Sequence, residues 1–273
     1  MHSIIISILD FLNASMREPE PYQSFSKGWF HYLSLVLFVL ATIILINHMR
    51  RMNQQQVNRL LIIFSIVLLI FEAYKQIIFT YQAHGSYQWY AFPFQFCSTP
   101  MYVALFAGLT KKVMIRESLI AFLGTFGLFA GLAVMLYPET VFITTVGINI
   151  QTMVHHGGMA ALGIALLVTQ VKHQFSSIFK AISVFSVLVM IALIMNTIHN
   201  TWINEGTFNM FFINPRFENG IPILSLFQPL VSPFMFDLIY IVGFSLVASL
   251  MMGITMVIMK IFPPKMKTVL QKA

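Results

Sequence analysis

Seven long apolar runs alternate with short polar segments along this chain. They cover residues 29–49, 59–80, 90–110, 117–137, 147–171, 178–202 and 232–261, and the last is long enough to tilt or to protrude. A helix needs roughly 20 apolar residues to cross about 30 Å of hydrocarbon, and every run reaches that length. The pattern therefore predicts an all-α fold, a polytopic membrane bundle of seven transmembrane helices.

Polar and ionisable side chains interrupt these runs. They are His31, Glu72, Lys75, Gln95, Cys97, Gln151, His155, His156, Asn196, His199, Asn200 and Asp237. An ionisable group is expensive in hydrocarbon, so within a span it usually faces the protein interior or a wet cavity and marks function. The spacing of these residues therefore predicts a site inside the bundle.

Composition agrees with a membrane setting. Hydrophobic residues make up 58% of the chain and charged residues 9%, whereas an average soluble domain is about a quarter charged. This composition excludes an ordinary soluble domain. We expect an integral membrane protein, and a bacterial plasma membrane as its location.

Charge in the connections predicts the orientation. Twelve of the 16 lysines and arginines fall in alternate connections and at the C-terminus: Arg50, Arg51, Arg59, Lys111, Lys112, Arg116, Lys172, Lys180, Lys260, Lys265, Lys267 and Lys272. The positive-inside rule makes that side cytoplasmic, with the N-terminus outside and the C-terminus inside. The net charge of +7 is then a topology signal and requires no nucleic-acid partner.

The chain is predicted to have three parts. Residues 1–28 lack the basic start and long apolar core of a signal peptide, and we expect an amphipathic segment on the outer surface. Residues 29–262 form the transmembrane domain, and residues 263–273 form a basic cytoplasmic tail. With one cysteine in the chain, no internal disulfide can form.

The intramembrane polar residues are predicted to share one depth. With the orientation above, they fall between the bilayer centre and the outer surface, and residues three or four apart share a helix face. This predicts a water-accessible pocket in the outer half of the bundle. Simpler roles remain open: an ion pair between Glu72 and Lys75, helix-to-helix hydrogen bonds for the asparagines and histidines, packing for Cys97, and pairing of Asp237 with Lys75 or a histidine.

Two adjacent histidines occupy the fifth run. Neighbouring positions on a helix point about 100° apart, so we expect one of His155 and His156 to enter the pocket and the other to bond a neighbouring helix. Helical zinc pairs are spaced four residues apart, and no such pair occurs here. We therefore expect no metal and no cofactor.

Three segments resemble the YwaF-type seven-helix membrane family. Residues 92–97 (Phe-Pro-Phe-Gln-Phe-Cys) resemble the family's Leu-Pro-Leu-His-Leu-Cys, and residues 154–159 (Val-His-His-Gly-Gly-Met) resemble its His-His-Gly stretch. Residues 205–211 (Glu-Gly-Thr-Phe-Asn-Met-Phe) are similar to its Thr-Gly-x-Asn-Tyr-Met-Tyr loop. The resemblance extends over nearly the whole chain in order and helix count.

The resemblance implies a lipid chemistry. Eukaryotic relatives of that family are viewed as ether-phospholipid acyltransferases that use a cysteine and a histidine, and the more distant androgen-induced fatty-acid-ester hydrolases use a threonine and a histidine. By position, Cys97 would be the nucleophile and His155 or His156 its base, with membrane phospholipids as partners. Here Gln95 replaces the family's histidine, and Phe208 precedes Asn209 where the family has Asn-Tyr.

The remaining polar residues then divide between two roles. Substrate contacts are expected from Gln95, Asn196, His199, Asn200 and Asn209, and a supporting polar network from Glu72, Lys75 and Asp237. The competing interpretation is a carrier or binding protein for a small polar or lipid ligand in the same pocket. The absence of an internal repeat in the sequence argues against a two-lobed transporter.

Overall fold

The chain folds into an all-helical bundle. The computed structural model describes residues 2–261, with side chains from residue 4 onward, so the predicted tail at 263–273 lies outside the described residues. Within that part the helices are α1 His2–Leu12, α2 Phe25–Met49, α3 Gln54–Gln82, α4 Thr99–Leu109, α5 Val113–Phe122, α6 Leu128–Leu136, α7 Val146–Thr169, α8 Phe175–Ile198, α9 Leu224–Phe227 and α10 Pro233–Ile261.

Two π-helical turns lengthen the helices. Leu123–Gly127 joins α5 to α6 in one continuous helix, and His199–Ile203 extends α8. Six helices in the described part are then long and apolar enough to cross a membrane: α2, α3, α5 with α6, α7, α8 with its extension, and α10. This confirms an integral membrane fold.

The third predicted run, 90–110, differs from a single long helix. A 3₁₀ turn at Trp89–Ala91 leads into irregular chain, and α4 begins only at Thr99. Its 11 residues rise by roughly 16 Å at 1.5 Å per residue, about half of the hydrocarbon thickness. Pro93 and Pro100 are the local reason: a proline disfavours helix at the residue before it and is itself best tolerated in a helix's first turn.

Helix α7 lies at the centre of the bundle. It packs against α2 on one side and against α6 on another. In its most apolar stretch of 18 residues, 72% of the residues are buried, compared with 6% in the corresponding stretch of α2. Gly131 of α6 permits the close crossing, since a Cβ there would lie 2.5 Å from the His156 carbonyl oxygen and 2.7 Å from the Ala160 nitrogen. The two backbones therefore touch beside the histidine pair.

An aromatic cluster fills the space between α5–α6, α8 and α10. Phe126 stacks on Phe185 with ring centroids 4.4 Å apart, and Tyr240 and Phe244 lie 4.6 Å apart on α10. Phe96, which precedes Cys97, packs edge-on against Phe244 at 5.0 Å. The segment that carries Cys97 is thus held from behind by α10.

The N-terminal segment covers the end of the bundle where α3 ends and α7 begins. The Tyr81 hydroxyl donates to Asp10, and the Tyr74 hydroxyl donates to the Leu12 carbonyl. Ser15 and Thr145 form an isolated antiparallel bridge. Helix α1 forms where an amphipathic segment was predicted, and its exposed residues include Ile4, Ile8 and Phe11.

A small charged turn follows α1. Glu20 accepts hydrogen bonds from Lys27 at 2.9 Å and Arg17 at 2.7 Å. The hydrogen bond from Lys27 and then that from Arg17 lower the pKa of Glu20 below its usual value. The two cations therefore favour the ionised carboxylate, which joins both ends of the turn that leads into α2.

Candidate functional site

A cavity of about 250 Å³ lies between α3, the irregular segment before α4, the connection from α6 to α7, and α7 itself. The polar side chains that line it come from positions far apart in the sequence. They are Glu72, Lys75, Tyr90, Cys97, Ser98, Thr140, Gln151, Thr152, His155 and His156. The tertiary structure therefore brings the predicted nucleophile and both predicted bases to one cavity.

Glu72 and Lys75 form an ion pair in the cavity wall. The Lys75 ammonium lies 2.8 Å from Glu72 Oε1, and Gln76 Nε2 donates to the same oxygen at 2.8 Å and to the Ala91 carbonyl at 2.7 Å. The predicted pair is thus confirmed. Glu72 Oε2 is buried and has no hydrogen-bond partner in the described part of the chain, so it remains available as an acceptor.

His155 is held against the backbone of Cys97. Its Nε2 lies 2.9 Å from the Cys97 carbonyl oxygen. A carbonyl can only accept, so Nε2 carries the proton and Nδ1 has the lone pair. Nδ1 is buried and has no partner among the described residues, so it is an unused acceptor on a ring that is held at the backbone of Cys97.

His156 has the opposite tautomer. Its Nδ1 donates to the Thr152 carbonyl at 2.8 Å one turn earlier on α7, and its buried Nε2 has no partner within residues 4–261. The two imidazole centroids are 5.3 Å apart. Both rings line the cavity, which extends along α7 from Ile148 to His156. The cavity therefore meets more of the helix surface than the single helix face that sequence spacing suggested.

A second polar network holds the connection between α8 and α9. Gln95 and Asn196 each bond to that connection through both ends of their amides: Gln95 to the Asn209 carbonyl and the Phe211 nitrogen, and Asn196 to the carbonyl and nitrogen of Met210. Asn200 exchanges side-chain bonds with Asn214, whose own nitrogen donates to Asn209. These residues fix a loop.

None of the five predicted substrate contacts lines the cavity described above. His199 is the one predicted contact outside the hydrogen-bond network above. Its ring stacks on that of Phe208, with ring centroids 4.3 Å apart and an interplanar angle of 6°. It also meets Trp89 edge-on at 4.8 Å. The structure therefore separates the cavity residues from a group of loop-holding residues at the same end of the bundle.

Asp237 and His31 lie outside both groups. Within the described residues no hydrogen bond or ion pair joins Asp237 to a histidine or to Lys75, which pairs with Glu72. His31 is fully buried in α2, and its Nε2 lies 2.9 Å from the Met135 carbonyl of α6. His31 thus ties two helices together.

Comparison with known families gives one match. The TMEM164 family matches residues 24–256, which is most of the chain. The chain belongs to the TMEM164 family. No curated protein and no solved structure matches it.

In this TMEM164-family chain, two polar residues of the cavity and of the loop network were not singled out by the sequence interpretation. Thr152, one turn before His156 on α7, supplies the carbonyl that orients that ring, and helical spacing from His156 could have indicated it. Asn214 has no such signal, because its loop partners Asn209 and Asn200 come together only in the fold. The TMEM164-family match itself supports the membrane setting.

The unpartnered atoms define what the cavity can do chemically. Glu72 Oε2, His155 Nδ1 and His156 Nε2 are all acceptors, so they complement a group that brings a proton, such as a thiol, a hydroxyl or water. Among the described residues no three His, Cys, Asp or Glu side chains are grouped closely enough to hold a metal ion. The cavity is thus suited to proton transfer beside a thiol.

Proposed function

We propose that this protein is a membrane-embedded lipid acyltransferase or lipid-ester hydrolase that works through an acyl-enzyme on Cys97. The observation that carries the proposal is the shared cavity of one cysteine and two histidines, each histidine with an unprotonated ring nitrogen. A thiol needs such a base, because the thiolate is the nucleophile and burial in apolar surroundings disfavours it.

The first half-reaction forms the thioester. His155 Nδ1 takes the proton of the Cys97 thiol, and the sulfur attacks the carbonyl carbon of a phospholipid ester. The C–S bond forms as the ester C–O bond breaks, and the imidazolium returns its proton to the leaving oxygen. A lysolipid leaves and the acyl chain stays on Cys97.

The second half-reaction reverses the roles. A lipid alcohol or water gives its proton to the imidazole and attacks the thioester carbonyl, and the C–S bond breaks with the proton returning to sulfur. An alcohol gives acyl transfer and water gives hydrolysis. Glu72 Oε2 and His156 Nε2 are the acceptors that orient the incoming hydroxyl.

The developing oxyanion needs a donor within the cavity. Substrate contacts were expected from Asn196, Asn200 and Gln95, but their amides hold the loop after α8. Gln151 lines the cavity, and we assign its amide the role of oxyanion donor. Ser98 also lines the cavity and is the alternative nucleophile.

The membrane arrangement is part of the proposal. Helix α4 and the irregular segment before it together complete a seventh crossing, with the N-terminus outside and the C-terminus in the cytoplasm of a bacterial cell. This places the cavity in the outer half of the bilayer, where the ester groups of phospholipids lie just below their headgroups. Phospholipids are accordingly both substrate and surroundings.

The test is the intact mass of the full chain after incubation in diacyl-phospholipid nanodiscs. We expect one added acyl chain, removed by hydroxylamine as a thioester is, and none in Cys97→Ala. Ser98→Ala is the matched control and should keep the adduct. Unchanged lysolipid release by Cys97→Ala and by Cys97→Ala/Ser98→Ala would contradict the covalent mechanism.

A carrier is the second candidate function. The observation that favours it is the Glu72–Lys75 pair in the cavity wall, since intramembrane charged pairs also mark transport pathways. A carrier would bind and move a ligand equally well in wild type and Cys97→Ala, without releasing lysolipid. Measuring uptake and lysolipid together separates the two candidates.

A further inference from the structure

A second, smaller polar cavity lies at the end of the bundle where α7 ends and α8 begins. Its volume is about 30 Å³, and its lining includes Arg116, Glu117, Lys172 and Ser177. The exposed basic residues of the α2–α3 turn and of the α4–α5 turn project at this same end of the helices: Arg50, Arg51, Lys111 and Lys112. The cavity therefore opens where the membrane-spanning helices reach the headgroup layer.

The charges around this cavity do not balance. Glu117 accepts from Lys172 at 2.9 Å and also from Lys180. Arg116 adds a third cation, and its Nε donates to Asn58 at 2.8 Å. Three cations thus surround one carboxylate, which leaves two positive charges without a counter-charge in the pocket.

Arg116 also has an unused donor. Its Nη2 is buried and has no hydrogen-bond partner among the described residues. A buried charged donor without an acceptor is costly, and guanidinium groups are suited to phosphate oxygens by charge and by shape. The volume of 30 Å³ admits one oxygen atom of a ligand, with the rest of the ligand at the mouth beside Lys172.

We propose that this pocket binds a phosphate group, supplied by the headgroup of an anionic membrane lipid. One phosphate oxygen accepts from Arg116 Nη2, and Lys172, whose side chain is 67% exposed, pairs with a second oxygen at the mouth. The lipid is favoured over a soluble phosphate because basic pockets at the ends of membrane helices lie at headgroup depth. The site is independent of Cys97 and of the proposed acyl chemistry.

The experiment compares lipid and phosphate as ligands of the full chain. The protein is placed in nanodiscs of phosphatidylcholine alone, of phosphatidylcholine with phosphatidylglycerol, and of phosphatidylcholine with inorganic phosphate in the buffer. Thermal unfolding and retained lipid by native mass spectrometry are measured in each. We expect phosphatidylglycerol to stabilise the protein and to be retained, and inorganic phosphate to have little effect.

Variants assign the effect to the pocket. Arg116→Gln should weaken apparent affinity for phosphatidylglycerol about tenfold or more, because a charge-assisted bond to a buried donor is lost. Lys172→Gln should weaken it about fivefold, as expected for one basic residue at the membrane surface. Arg116→Lys should keep part of the affinity, which guards against a folding defect in Arg116→Gln.

Arg51→Gln is the matched control, since it removes an exposed charge at the same end without touching the pocket, and it should bind phosphatidylglycerol like wild type. Stabilisation by inorganic phosphate that equals that of phosphatidylglycerol, and that Arg116→Gln abolishes, would identify a soluble phosphate as the ligand. Equal responses of Arg116→Gln, Lys172→Gln and Arg51→Gln to phosphatidylglycerol would overturn the site.

Discussion

His155 Nε2 lies 2.9 Å from the carbonyl oxygen of Cys97, a residue 58 positions earlier in the chain. This bond fixes the imidazole beside the cysteine and leaves Nδ1 as the free base. It also joins α7 to the irregular segment before α4. The same contact therefore supports the fold and, in the proposed mechanism, leaves one ring nitrogen available to take a proton.

His155→Ala should slow formation of the acyl-enzyme by about 10²–10⁴-fold, the usual contribution of a general base. His156→Ala should have the smaller effect, because its ring bonds its own helix at Thr152. The measurement is the single-turnover rate of the mass adduct on Cys97, with the unfolding midpoint recorded for each variant. A larger loss in His156→Ala would assign the base to that residue instead.

Lys75→Met should destabilise the protein strongly. It leaves the Glu72 carboxylate, whose side chain is 5% exposed, without its counter-charge, and breaking one side of a buried pair costs about 3–5 kcal/mol. The double variant Glu72→Gln/Lys75→Met should recover much of that free energy of unfolding. A double-mutant cycle measures the coupling, and strictly additive effects would contradict the pair.

Asn196→Ala should lower the free energy of unfolding by about 2–4 kcal/mol, since it leaves the buried nitrogen and carbonyl of Met210 without partners. Thr197→Val is the control at the next position. Its hydroxyl bonds only the Leu193 carbonyl of its own helix and is exposed, so we expect a change within about 0.5 kcal/mol. Equal effects of the two substitutions in chemical unfolding would argue against the loop-holding role.

Gly131→Ala should push α6 away from α7. The added Cβ would lie 2.5 Å from the His156 carbonyl oxygen, and relief requires backbone movement that costs about 1–3 kcal/mol. Gly253→Ala in α10 meets nothing within 4 Å and should leave stability unchanged or slightly raised. A lower unfolding midpoint in Gly131→Ala, with none in Gly253→Ala, would confirm that α6 and α7 need this close crossing.

The orientation is open to labelling in intact cells. In a Cys97→Ala background, Ser86→Cys lies in the connection between α3 and α4, and Arg51→Cys lies in the turn between α2 and α3. With the N-terminus outside, a membrane-impermeant maleimide should label the first and not the second. The reverse pattern would place the cavity in the inner half of the bilayer.

The sequence determined those features that depend on one helix at a time. Six of the seven apolar runs form long spans, because a bilayer admits helices whose backbone is satisfied internally. The Glu72–Lys75 pair was likewise predictable, since residues three apart on α3 share a face. The basic residues in alternate connections predicted an orientation in the same way, since each of them lies at the end of a single helix.

Only the tertiary structure decided which faces meet. The bond from His155 to Cys97 depends on how far α7 is rotated and how closely it crosses α6, and Gly131 sets that crossing. The rotation of α8 likewise directs Asn196 to Met210 rather than to the cavity. Helical periodicity gives the faces of each helix, but their relative rotation follows from packing between segments distant in the chain, which periodicity does not contain.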